Sequence, residues 1–287
     1  MRYATAVANH LGNRSVNQDR FAIVETSEGV LLALADGMGG MPQGEKAAQI
    51  LIDTAREHYL QAARPLGAID SFFTGIIQDA HQRLLHLSDM QNGGSIPGTT
   101  AVLALLQHGR LDWAHVGDSR LYLFRNGLPV FRTQDHSFVE QLCQQGRIRR
   151  SECERHPRRH SITQCVGGLP HMPKVEIGKG KRLEIDDIVL LCSDGLWGAL
   201  DDAQLGLMLR RGQTLEAALE AMATRAEQNS YPHSDNISAV ALRLLALQAA
   251  QAGQTPTVAV TPPPDAARLE DAIAQIEAAW RIYKDEL

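Results

Sequence analysis

Five aspartates stand where β-like runs of the sequence begin or end. Asp36 closes the apolar run 31–35, and Asp194 follows the run 188–192 after Ser193. Asp118 comes just after Val116 and Gly117, at the end of a third run. Asp235 precedes the run 237–244, and Asp19 precedes the run 21–24. In an antiparallel sheet the end of one strand and the start of its neighbour share a rim, so these residues can converge on one edge. Two carboxylates ~4 Å apart repel by about 4 kcal/mol at an effective dielectric of ~20. Several together require cations or strongly raised pKa values. All-oxygen ligands suit hard ions, magnesium or manganese, rather than zinc. A single Asp-Gly, such as Asp36-Gly37 or Asp194-Gly195, reads as a turn or a cap, and it is the recurrence at strand edges that points to a metal cluster. Arg14 lies five residues before Asp19. Its planar guanidinium can bind two oxygens of a phosphate, or it can form a surface ion pair with Asp19.

The elements that must position these groups follow from periodicity. Residues 21–24 and 30–35 read as strands joined by a turn at 27–29. A helix is predicted over 43–61, with Ala47, Ile50, Leu51 and Thr54 on one face. A second, over 69–87, carries Phe72, Phe73, Ile76, Ile77, Ala80 and Leu84 at helical spacing. Runs 99–106 and 111–116 form a hairpin, and runs 121–125 and 129–131 form another across Asn126-Gly127, a strong two-residue turn signal. Strands at 175–178, 188–192 and 237–244 and helices at 203–210 and 215–228 complete the pattern. Tight turns between neighbouring strands imply antiparallel sheets, not a doubly wound parallel sheet.

The balance of 28 basic and 33 acidic residues, a net charge of −5, leaves no basic excess with which to grip nucleic acid. No apolar run approaches the ~20 residues of a membrane span. The four cysteines (Cys143, Cys153, Cys165, Cys192) form no CxxC pair, which fits reduced thiols, with Cys192 packed in the core. The last four residues spell KDEL, but the start of the chain offers no signal-peptide segment, so the match reads as coincidence and the expected location is cytoplasmic. From 248 to 265 the chain turns to Ala, Gln, Thr and three successive prolines, a linker composition. Beyond it Leu269, Ile273, Ile276, Trp280 and Tyr283 form the apolar stripe of a helix too short to stand alone. That helix is expected to dock on its own chain or on a partner. The predicted division is thus 1–247, a catalytic domain, and 248–287, a linker with a C-terminal helix.

Seven stretches in order resemble the bacterial metal-dependent serine/threonine protein phosphatases of type 2C, the PPM family. They are RSVNQD at 14–19, ADGMGG at 35–40, GTTA at 98–101, HVGDSR at 115–120, QDHS at 134–137, SDGL at 193–196 and DNIS at 235–238. The resemblance implies an α+β fold, two packed antiparallel β-sheets flanked by helices. It implies two manganese or magnesium ions, with room for a third. Asp36 would bridge two metals, and the Gly37 carbonyl would join the second. Asp194 and Asp235 would complete the first site, Asp118 with Asp194 a weaker third one, and Asp19 would act through metal-bound water. Arg14 would hold the substrate phosphate while a water activated between the ions attacks phosphorus in line. Met38 stands where many eukaryotic relatives have a histidine, and Gln18 where the family often has glutamate, although bacterial members commonly match this sequence at both.

Residues 147–160 hold six arginines against two glutamates, where bacterial relatives carry a flap beside the site. Arg149 and Arg150 are candidate substrate-binding residues that would attract acidic or phosphorylated proteins. The alternative is a solvated charged loop. The expected partners are phosphorylated proteins and a cognate Ser/Thr kinase, with no nucleic acid and no membrane. The rival to an enzyme is a catalytically inactive scaffold binding through the C-terminal helix, but a dead scaffold should have lost the aspartates that this chain keeps.

Overall fold

The computed structural model describes residues 1–38, 43–90, 95–153, 156–210 and 213–247. The chain begins with strands β1 (Arg2–His10), β2 (Asp19–Glu25) and β3 (Gly29–Asp36), then helices α1 (Gly44–Gln61) and α2 (Ile69–Met90). Strands β4 (Gly98–Thr99), β5 (Ala101–Gln107), β6 (Arg110–Val116), β7 (Arg120–Arg125) and β8 (Leu128–Arg132) follow. Next come α3 (Phe138–Gln144), α4 (Arg150–Cys153), β9 (Val166–Gly167), β10 (Glu176–Arg182) and β11 (Ile188–Cys192). Helices α5 (Asp194–Trp197), α6 (Asp202–Met208) and α7 (Leu215–Ser230) lead to β12 (Ile237–Ala246).

Two five-stranded antiparallel sheets result, ordered β1-β12-β11-β7-β8 and β10-β6-β5-β3-β2. Their facing sides enclose one core, built from Leu32, Leu34, Val102, Leu121, Val189, Leu191 and Val240 among others. Helices α1 and α2 cover the outer face of the second sheet. Helices α5, α6 and α7 cover the outer face of the first. This is the four-layer arrangement expected, and it explains why the central strands are apolar throughout instead of alternating. On β3, Leu31, Ala33 and Ala35 face the helices, while Val30, Leu32 and Leu34 face the opposite sheet. Cys192 is fully buried on the helix side of β11.

The two-residue turn Asn126-Gly127 has φ of 53° and 74°, the left-handed pair that matches strand twist. Some elements carry little sequence signal. β1 pairs with β12 from Arg2 to His10, yet only Ala6 and Ala8 of it are buried, and alanines have low strand preference. The predicted strand at 175–178 lies at β10, extended to Arg182 past a register shift. The helix expected at 269–283 lies outside the described residues. Among the described residues, no helix is long and apolar enough to cross a membrane.

Candidate metal centre

The five aspartates do come together, but not along the rim of one sheet. Asp19 opens β2 and Asp36 closes β3, directly opposite each other in the second sheet. Asp194 follows β11 and Asp235 precedes β12, both in the first sheet. Asp118 lies in the crossing from β6 to β7, from one sheet to the other. The carboxylates therefore meet where the ends of the two sheets face each other, a convergence that pairing within a single sheet could not produce.

Each is placed by short local bonds. The Asp36 N–H donates to Thr100 Oγ1 at 2.9 Å, and its carbonyl accepts from Thr99 Oγ1 at 2.9 Å and from the Thr100 N–H at 2.8 Å. At Gly37 a Cβ would fall 2.2 Å from the Gly44 carbonyl oxygen, so no side chain fits where α1 begins against the centre. Ser193 donates to Asp19 Oδ2 at 2.8 Å, leaving the buried Oδ1 of Asp19 with no partner among the described residues. The carbonyl of Asp118 accepts the indole N–H of Trp197 at 3.0 Å. Arg14 pairs with Asp235 Oδ2 at 2.6 Å instead of with Asp19. The loop before β2 is pinned by Asn236, which donates to the Leu11 and Val16 carbonyls and accepts from the Gln18 N–H at 2.9 Å.

The electrostatics are those of several carboxylates buried close together. Burial holds the Asp36 carboxyl well above the usual range, and the charges of Asp19, Asp194, Asp118 and Asp235 add to it. Asp118 is raised by burial and then by Asp194. Burial, with Asp235 and Asp19, pushes Asp194 up to about 7. Asp19 rises to about 6 through burial, despite its bond from Ser193. Crowded oxygen donors, with one buried oxygen unsatisfied, fit hard divalent cations.

A pH dependence follows. Folded-state values above the ordinary 3.8 mean that the folded chain holds protons which the unfolded chain releases. The cluster thus supports the metal-free fold at about pH 4, and that support is lost as pH rises through about 6 and 7. Metal binding removes the repulsion and requires the deprotonated form. The gain in Tm on adding Mn²⁺ to EDTA-treated protein is therefore expected to grow between about pH 5 and pH 8. Histidines lowered by burial and remote from any metal, such as His81, shift both arms alike. A gain that stays flat or shrinks over this range rules the cluster out as the cation site.

The arginine-rich segment meets the centre at its last residue. His160 Nδ1 is 3.9 Å from Asp194 Oδ2, and Arg158 lies 3.8 Å over the Phe138 ring. Arg149 is exposed, with its backbone N–H bonded to Glu152. Arg150 is held on both oxygens of the buried Glu140 carboxylate, which makes it an anchor of this segment more than a free cation. A brace lies close by that sequence reasoning missed. Arg120 donates to both oxygens of Asp135 at 2.8 and 2.7 Å, and its guanidinium lies 3.5 Å over Trp197. Both residues fall within motifs already noted, HVGDSR and QDHS, but their pairing is tertiary and no spacing announces it.

The family described as Protein phosphatase 2C matches residues 8–243. The serine/threonine phosphatase stp of Listeria innocua is 29% identical over 229 residues, 78% of this chain and 89% of its own. The S. agalactiae serine/threonine phosphatase superposes with a TM-score of 0.78 at 26% identity, covering 85% of this chain and 100% of that one. The catalytic domain of the serine/threonine protein phosphatase PstP, solved in complex with two manganese ions, gives a TM-score of 0.68 at 27% identity, covering 85% and 98%. The seven motifs, the two facing sheets, the converging carboxylates and this match over most of the length agree: the chain belongs to the protein phosphatase 2C family.

Proposed function

We propose that this chain is a metal-dependent protein serine/threonine phosphatase, hydrolysing phosphoserine and phosphothreonine. The observation that carries the reading is the meeting of Asp36, Asp118, Asp194 and Asp235 from two sheets, with Arg14 beside them. Asp36, the Gly37 carbonyl, Asp194, Asp235 and Asp118 would hold two or three manganese or magnesium ions, with Asp19 supporting them. Bound there, the ions supply Lewis acidity that activates water for in-line attack and offsets charge on the phosphoryl oxygens.

The chain's own groups fix the rest. Arg14 is half-exposed beside Asp235, so its fork remains open to phosphate oxygens on the solvent side. Ser193 Oγ is engaged with Asp19 and Cys192 is fully buried, its thiol pushed up by that burial. Neither is available as a nucleophile, so no covalent phospho-enzyme is needed. An inactive scaffold has no use for these aspartates, and that reading is set aside. We further infer cytoplasmic action on phosphorylated proteins, opposing a Ser/Thr kinase, with catalysis assigned to residues 1–247.

The test is hydrolysis of a phosphoserine peptide by the full chain with Mn²⁺. Activity should vanish in EDTA and return with added Mn²⁺; turnover that persists in EDTA would discard the metal-dependent reading. Arg159 is exposed like Arg149, and in the same assay Arg149→Ala with Arg159→Ala should raise KM several-fold for an acidic phosphoprotein and leave a small aryl phosphate unaffected. Kinetics unchanged by the substitutions on both substrates would leave the segment as a solvated loop.

A further inference from the structure

We propose that His115, His136 and Glu176 form a second metal site, chemically distinct from the aspartate cluster, for a borderline cation of the zinc class. One ligand atom from each side chain lies within 4.8 Å of those of the other two. Glu176 of β10 sits directly opposite His115 of β6. His136 Nε2 is 3.6 Å from Glu176 Oε2. Ligands about 2.0–2.2 Å from a tetrahedral zinc stand about 3.4 Å apart, so this pair already sits near ligating separation.

His115 supplies the second, independent observation. It is fully buried, and its Nε2–H donates to the Gln134 carbonyl at 2.8 Å. A carbonyl can only accept, so the tautomer is settled and Nδ1 bears a lone pair. That lone pair is buried and has no partner among the described residues. An unsatisfied buried acceptor costs roughly 1–3 kcal/mol. A backbone carbonyl on the far nitrogen is also the usual support of a metal-ligating histidine. Burial keeps both rings in the neutral, ligating form, with His136 pushed down to about 4.

Ligation has a definite cost, which falls on the more exposed ring. The two rings stack with centroids 4.5 Å apart and planes at 30°. His136 Nδ1 accepts the Gly117 N–H at a long 3.3 Å. Binding through Nε2 tilts His136 out of the stack, moves its ring proton from Nε2 to Nδ1, and releases the Gly117 contact. His136 has a 13% exposed side chain beside the half-exposed Glu176, which gives the ion its way in and leaves room for water as the fourth ligand. The charge of Lys174 opposes a cation near His136, and that of Glu176 offsets it.

Two imidazoles and one carboxylate favour zinc, cobalt or nickel over magnesium, whereas the aspartates favour the hard ions. The two sites can therefore be separated. Metal-free full-length chain in excess Mg²⁺ is titrated with Zn²⁺ against a chromophoric chelator, and the zinc-loaded sample is examined by X-ray absorption. The expected result is one Zn²⁺ per chain that Mg²⁺ does not displace, with imidazole scattering in its spectrum. Glu176→Gln should weaken that zinc by at least ~10-fold, and His136→Gln should abolish it. Glu176 lies half-exposed on the edge strand β10, so its variant keeps the fold, which circular dichroism verifies. Asp36→Asn should retain the zinc. Zinc displaced by Mg²⁺, binding unchanged in both Glu176→Gln and His136→Gln, or zinc lost in Asp36→Asn would each overturn the assignment.

Discussion

Asp36→Asn is expected to lower kcat for a phosphoserine peptide by about 10³-fold, even at saturating Mn²⁺. Removal of one preorganised electrostatic contact typically costs about 10²–10³ in rate. Asp36 belongs at the upper end because all four other aspartates act on it, which makes it the centre of the cluster. Asparagine preserves its shape and removes only the charge. The backbone should stay in place, since Thr99 and Thr100 hold the Asp36 N–H and carbonyl without using the side chain. The metal-free variant should also melt no lower than the metal-free native chain, because one of the mutually repelling carboxylates has gone. Steady-state kinetics over a Mn²⁺ series, with thermal melts in EDTA, separates lost catalysis from lost folding. A variant that keeps activity within tenfold of the native chain at saturating Mn²⁺ would remove Asp36 from the mechanism.

The features legible in the sequence are local ones. Strand-terminal aspartates, the Asn126-Gly127 turn and the helical stripes of α1 and α2 are decided by neighbours a few residues apart, and each stands where expected. Partnership across the fold is not legible in this way. The apolar runs of β3 and β11 require two covered faces, yet nothing in them says that one cover is the other sheet. The rim expected within a single sheet is instead the meeting of two, because β6 and β7 pass Asp118 from one sheet to the other. Arg150 reads as a free charge, but Glu140, ten residues earlier, holds it. His115 and His136 sit inside motifs, and only the fold stacks their rings and sets Glu176 against them.

Arg120→Ala is expected to destabilise the fold by about 3–5 kcal/mol, the usual cost of breaking a buried ion pair from one side. The Arg120 and Asp135 side chains are only 11% and 9% exposed, so Asp135 would be left charged, largely buried and without its two bonds. The lost side chain also covers the Trp197 ring and donates to the Tyr122 hydroxyl at 3.0 Å. Tyr122 keeps its own bond to Asp202 at 2.9 Å, so the damage concentrates on Asp135 and Trp197. Against a total stability of about 5–15 kcal/mol for a domain, such a loss is large, corresponding to a Tm lower by roughly 6–20 °C. Arg120→Lys keeps the charge but not the planar fork, and should recover only part of it. Because Trp197 bonds the Asp118 carbonyl, a loosened indole should also weaken the hold on Asp118, raising the Mn²⁺ concentration needed for half-maximal rate. Urea unfolding followed by circular dichroism reads the first effect and a Mn²⁺ titration of initial rates the second. A loss below about 1 kcal/mol would mean that the pair behaves as an exposed surface bridge, and an unchanged Mn²⁺ requirement would sever the brace from the metal centre.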